Sequence, residues 1–177
     1  GTGSCCYGRN RTGRTATVGG WGHILGDKGS AYDVALTALQ TAIHEWDYAG
    51  VWPELGARLL GCLQLNEPND LVTWLHAADK AAVAALAVEV FAAAERGDRL
   101  ARRLVTQAAA RLASEALACA RRLTSRELPV DFVFVGGLLR NQTGFARCVA
   151  RELHEQWPAA TTRFLPREGA WGAVALV

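Results

Sequence analysis

No two cysteines in this 177-residue sequence stand in a C-x-x-C spacing. The five present, Cys5, Cys6, Cys62, Cys119 and Cys148, are odd in number and scattered. That excludes a regular disulfide framework and a zinc-finger-type site, and it fits thiols kept reduced in a cytoplasmic setting. No apolar run reaches membrane-spanning length free of charge, and no basic start followed by an apolar centre marks a secretory leader. Net charge is only +2, with 20% charged residues, so neither disorder nor a strongly basic nucleic-acid surface is expected. His23, His44, His76 and His154 lack metal-type spacing and read as local polar or packing residues. There is no internal repeat, low-complexity tract or linker.

What is present is an ordinary globular composition, half hydrophobic, at a length that supports one domain with its own core. "SCCYGRN" and "RTATVGG" flank a polar turn and predict a β-hairpin. "GWGHILGDKGS" is a glycine-punctuated loop leading into a helix from about residue 31 to 48. Further helices are predicted from Pro53, from Asn69 as cap, and as one continuous helix between Asp79 and Gly97. Asp98 caps a long amphipathic helix to about Leu123, with Leu100, Leu104, Ala108, Leu112, Ala116 and Ala120 along its apolar face. "PVDFVFVGG" predicts a buried parallel strand ending in a ligand-facing turn. A helix from about Thr143 to Gln156, a strand "TTRFL" and the segment "GAWGAVALV" complete an α/β pattern.

Three glycine-rich turns then stand beside predicted strands: Gly1 to Ser4, Gly19 to Ser30, and Gly136 with Gly137. Glycine lets backbone N–H groups approach phosphate closely, and α/β sheets bind ligands at strand ends, so the three predict one composite nucleotide and substrate site. Singly each has a plainer reading. "GTGS" is a common turn composition, Trp21 suits a core, Asp27 suits a helix cap and Ala84 suits packing on an alanine-rich helix.

"GTGS", "GGWGHILGDKGSAYD" and "VFVGGLLRN" together resemble the N-acetylglucosamine kinase branch of the BadF/BadG/BcrA/BcrD ATPase family, along essentially the whole chain. The resemblance implies an actin-like, hexokinase-like (ribonuclease H-like) ATPase lobe, with helices inserted between an N-terminal hairpin and a C-terminal α/β portion. It implies that residues 1–177 form a single C-terminal lobe, and that the first lobe, with the general base, lies outside this sequence. The function it implies is ATP-dependent phosphorylation of an amino sugar, N-acetylglucosamine to its 6-phosphate first among them. Thr2, Gly3, Ala84, Gly136 and Gly137 would then meet ATP, while Ser4, Cys5, Gly20, Trp21, Gly22 and Asp27 would meet the sugar. No catalytic residue and no metal ligand is assigned in this chain. ATP and Mg²⁺ are the implied cofactors, ATP and the sugar the partners, with no nucleic acid or membrane and a homodimer left open.

Two positions depart from the family pattern. Lys28 stands where relatives more often carry Glu, and Cys5 and Cys6 follow the turn in place of small apolar residues. Two other readings therefore stay open. One is an ATPase activator of a 2-hydroxyacyl-CoA dehydratase, with a cysteine-held iron–sulfur cluster between subunits. The other is a non-catalytic nucleotide- or sugar-binding protein.

Overall fold

The hairpin forms because a second strand rich in β-branched residues, Thr15, Thr17 and Val18, folds back on the first from a side-chain-held turn. In the computed structural model, which describes residues 1–165, β1 (Cys5–Arg9) and β2 (Thr15–Gly19) pair antiparallel with Cys5 opposite Gly19 and Arg9 opposite Thr15. The Asn10 side chain accepts the Thr12 and Arg14 N–H groups at 3.1 and 2.9 Å, and Gly13 takes φ +85°. This is the local bonding for which asparagine and glycine are chosen in turns.

Gly19 leads through the short α1 (Gly22–Leu25) into α2 (Ala31–Ala49). The cap of α2 is Ser30, whose Oγ accepts the Asp33 N–H at 3.2 Å, while the Asp33 carboxylate accepts the Gly29 N–H at 2.8 Å. The first satisfies an N–H that the opening helical turn would otherwise leave orphaned, and the second ties the residue before the cap to the helix. Gly50, in the left-handed region, ends the helix.

The next helices are α3 (Glu54–Leu63), α4 (Asp70–Ala77), α5 (Lys80–Ala85) and α6 (Ala87–Arg96). Two expectations are corrected here. Asn69 is helical and makes no side-chain cap bond, and Asp70 instead turns its carboxylate back onto the N–H groups of Asn66 and Glu67. The single helix expected between Asp79 and Gly97 is two. At Leu86 the bonding tightens to i→i−3, with Leu86 N–H on Val83 and Glu89 N–H on Leu86. Asp79 and Asp98 cap as expected, accepting the Ala82 and Ala101 N–H groups at 2.7 and 2.8 Å.

The backbone of the packing is α7 (Arg99–Arg121), which touches α6, α2 and both strands of the hairpin. Its buried face runs through Ala101, Leu104, Ala108, Ala109, Ala113, Leu117 and Ala120, while Leu100, Leu112 and Ala116 of the expected stripe are only half-buried. A stripe spaced strictly by four drifts about 40° per step around a 3.6-residue helix, so it cannot stay on one face. The hairpin rests directly on this helix. Cys119 Sγ donates to the Ala16 carbonyl at 3.4 Å, and a Cβ on Gly8 would come within 2.5 Å of Leu123 Cδ1.

Beyond α7, β3 (Val130–Phe134) and β4 (Ala160–Phe164) pair in parallel, joined through α8 (Gly137–Asn141) and α9 (Thr143–Gln156). The strand expected to be buried is half-exposed, with Asp131 in solvent, because among the described residues it has one neighbouring strand, β4. Phe145, Val149 and Leu153 of α9 sit against α7, and the fully buried Trp157 donates its Nε1 proton to the Leu128 carbonyl at 2.8 Å. The expected segment "GAWGAVALV" lies outside the described residues. A largely apolar cleft of about 980 Å³ separates the hairpin from β3, lined by Tyr7, Leu112, Leu123, Phe132 and Leu139 among others. No helix among the described residues is long and apolar enough to cross a membrane.

Candidate active site

The turn from Gly1 to Ser4 is held from three directions, chiefly through Ser4. The Ser4 N–H donates to Asp27 Oδ1 at 3.1 Å, its Oγ donates to the Lys28 carbonyl at 2.9 Å, and its own carbonyl accepts the Gly20 N–H at 3.2 Å. The Gly1 carbonyl accepts the Ala31 N–H at the start of α2 at 3.1 Å. The first two glycine-rich stretches are thus one hydrogen-bonded unit. The third joins it at Gly136, which takes φ +100° after β3 and where a Cβ would lie 3.4 Å from the Gly1 nitrogen.

Asp27 is the buried centre of this unit. It is 4% exposed and adopts φ +58°, a left-handed backbone that a non-glycine residue keeps only where its surroundings enforce it. Its Oδ2 accepts from Lys80 Nζ at 2.6 Å. Burial alone would raise the carboxyl's pKa. The Lys80 hydrogen bond, the Ser4 N–H and the nearby Lys80 and His23 charges outweigh that and hold it below the ordinary value. Asp27 is therefore an ionised carboxylate at neutral pH. It does not cap α2, because Ser30 fills that position.

Gly3 is needed for space. A Cβ there would stand 2.9 Å from both Asp27 oxygens and from Lys80 Nζ. Its φ lies outside the left-handed region, so close approach is the constraint at this glycine, whereas Gly20 and Gly22 do adopt positive φ, +77° and +75°.

The other expected residues fall in distinct places. Thr2 and Cys5 are exposed, and Cys5 Sγ would lie 3.2 Å from a Cβ at Gly20. Trp21 is 75% exposed, so it is not a core aromatic, and Ile24 and Leu25 beside it are exposed as well. Gly137 opens α8 directly after Gly136. Ala84 is buried on α5, one turn beyond Lys80, and it is Lys80 rather than Ala84 that reaches the turn. Asp27, Ser4, Gly3, Gly20 and Gly136 are brought together, and Ala84 is not joined to them by any contact described here.

Lys80 is the residue that sequence reasoning missed. A signal existed. A lysine at the first position of a helix sits at the positive end of the helix dipole, where cations are disfavoured, so it calls for an acidic partner. Asp79 beside it is already spent on the Ala82 N–H. Glu115 of α7 is a second such residue. Its Oε2 would stand 2.9 Å from a Cβ at Gly19 and is buried without a partner among the described residues. Burial raises its pKa most, Lys28 opposes this, and Asp33 and Asp27 add to it.

Cys6 faces the opposite side of β1 from Cys5, as alternate strand residues must. Its thiol is pushed up to about 12, first by burial and then by the Glu115 charge, and it stays protonated at neutral pH. Among the described residues no three His, Cys, Asp or Glu side chains converge as a metal site.

Comparison with known proteins extends these observations. The chain is 32% identical over 178 residues to the N-acetylmuramic acid/N-acetylglucosamine kinase of Clostridium acetobutylicum, covering 99% of this chain and 58% of that protein. It is 27% identical over 180 residues to the N-acetyl-D-glucosamine kinase of Dictyostelium discoideum, covering 99% and 56%. A solved structure of a candidate N-acetylglucosamine kinase from Chromobacterium violaceum superposes with a TM-score of 0.76 at 27% identity, over 99% of this chain and 56% of that one. The chain thus spans a little over half the length of the curated relatives it matches. The model of one family matches residues 1–177 in full, and the chain belongs to that family, the BadF/BadG/BcrA/BcrD ATPases.

Proposed function

We propose that this chain is the C-terminal lobe of an actin-like kinase that transfers the γ-phosphoryl group of ATP to an amino sugar, N-acetylglucosamine first, at its 6-hydroxyl. The observation that carries this reading is the 3.1 Å hydrogen bond from Ser4 N–H to Asp27 Oδ1. In-line phosphoryl transfer needs the phosphate cradle and the sugar-holding group within a few ångströms of each other, and catalysis here is mostly positioning and charge stabilisation. The names of the relatives from Clostridium and Dictyostelium support the substrate class.

In this reading the Thr2 hydroxyl and the Thr2 and Gly3 amides donate to the phosphate oxygens, where charge is spread in the transition state, while the Ser4 N–H stays on Asp27. Gly136 and Gly137 leave room for the nucleoside. Asp27 accepts from sugar hydroxyls, and Gly20, Trp21 and Gly22 border the sugar. The proton of the attacking hydroxyl goes to a base in the preceding lobe. In this reading Mg²⁺ accompanies the phosphates of ATP, and no residue of this chain is assigned to it.

The iron–sulfur activator reading is disfavoured, because the adjacent Cys5 and Cys6 side chains leave opposite faces of β1 and so do not face one cluster together. Asp27→Ala in the full-length protein tests the proposal. The expected loss is on the order of a hundredfold or more in kcat/KM for the sugar, with a much smaller loss of nucleotide affinity as the Ser4 N–H loses its acceptor. Equal losses for both ligands would mean that Asp27 only supports the fold.

A further inference from the structure

Lys80 belongs to α5, more than fifty residues from Asp27 in sequence, yet its ammonium lies 2.6 Å from Asp27 Oδ2. The same nitrogen would stand 2.9 Å from a Cβ on Gly3, so it also lies against the turn assigned to phosphate. The side chain of Lys80 is 32% exposed and that of Asp27 5%, which makes Lys80 the solvent-facing member of the pair. We propose that Lys80 is a positioning residue for the sugar: its ammonium holds Asp27 ionised and in one rotamer beside the Gly1–Ser4 turn, so that the remaining lone pairs of the carboxylate meet the sugar hydroxyls. The inference rests on the amino-sugar kinase reading and adds to it a residue from the helical insertion.

A carboxylate accepts about four hydrogen bonds, and Asp27 uses one oxygen for the Ser4 N–H and the other for Lys80. Among the described residues no further partner is recorded on either oxygen, which leaves one lone pair on each for a hydroxyl. A carboxylate this buried keeps its charge only with a partner, and a charged acceptor discriminates more strongly than a neutral one in favour of a substrate that brings the hydroxyl. Removing the ammonium lets the Asp27 carboxylate swing away from this position, which weakens the sugar contact. The nucleotide has separate contacts and is expected to feel less of this.

The test is steady-state kinetics of the full-length protein with Lys80→Met, Lys80→Gln and Lys80→Arg, each with a thermal melt. Lys80→Met is expected to raise the KM for N-acetylglucosamine about tenfold or more while the KM for ATP moves less than about threefold. Lys80→Arg, which keeps the charge, is expected to recover most of the loss. In an Asp27→Asn background the effect of Lys80→Met is expected to vanish, since Lys80 acts through that carboxylate. Should Lys80→Met fail to fold, Lys80→Gln, which keeps a donor without the charge, carries the same comparison. A parent protein that phosphorylates the sugar alongside a folded Lys80→Met or Lys80→Gln variant with unchanged sugar KM would overturn this inference alone. A parent without amino-sugar phosphorylation would overturn the kinase reading and this role with it.

Discussion

Adding a single methyl group at Gly3 is expected to disturb the centre of the site more than its environment suggests. A Cβ there lies 2.9 Å from Asp27 Oδ1, Asp27 Oδ2 and Lys80 Nζ, whereas ordinary contact begins near 3.4 Å, so each neighbour must give by about half an ångström. Lys80 can retreat on its flexible stem. Asp27 cannot do so cheaply, because its backbone is fixed at φ +58° and its Oδ1 is tied to the Ser4 N–H. The retreat therefore stretches the 2.6 Å ion pair. Overpacking costs about 1–3 kcal/mol, and a hydrogen bond between charged groups contributes about 1.5–3 kcal/mol, of which water returns part because Lys80 is a third exposed. We expect about 2 kcal/mol from Gly3→Ala, which for a domain of this size lowers Tm by about 4–8 °C. Sugar KM in the full-length protein is expected to rise about tenfold. Differential scanning calorimetry and initial-rate kinetics on the same preparation measure both. A Gly3→Ala protein with unchanged Tm and unchanged sugar KM would refute the close approach of turn, carboxylate and ammonium.

Three further predictions follow from the same geometry. Because the Asp27 pKa is depressed below its ordinary 3.8, the carboxylate stabilises the fold above that pH, and the stabilisation is lost as pH falls through the lower folded-state value; the stability difference between the parent and Asp27→Asn, from denaturant melts, should be flat above about pH 5 and shrink below pH 4. Cys6, with a pKa of about 12, should resist iodoacetamide at pH 8 while the exposed Cys62 reacts, as peptide mass spectrometry would read directly; rapid labelling of Cys6 in folded protein would contradict its burial. Gly8→Ala should destabilise by about 1 kcal/mol, since its Cβ would push aside the end of Leu123, met at 2.5 Å, and press on Cys119 Sγ of α7 at 3.3 Å; a stabilised protein would show that the hairpin does not lie close on α7.

The parts legible in the sequence were those governed by local chemistry. The hairpin around Asn10 and Gly13 and the Asp79 and Asp98 caps follow from side chains bonding their own backbone neighbours. The convergence of "GTGS", the Asp27 loop and Gly136 was also foreseen, from glycines beside strands. What escaped was decided between distant segments. The break at Leu86 lies in a run of good helix formers, so no local propensity marks it. Asn69 and Asp70 both suit a cap, and the one whose carboxylate reaches back to Asn66 and Glu67 took the local bonds. Leu100 satisfies a spacing of four but leaves the buried face as the helix turns. Lys80 is legible only as a misplaced charge, and its partner, far off in sequence, appears once α5 packs on α2.

The proposed function is that this site passes phosphate to an amino sugar. It is tested most directly by following the full-length protein, ATP and N-acetylglucosamine by ³¹P NMR. The expected products are stoichiometric ADP and a sugar phosphate monoester whose proton coupling assigns it to the 6-position, with the monoester forming on the order of a hundredfold more slowly in Asp27→Ala. Release of inorganic phosphate alone, or no turnover with any amino sugar, would contradict it.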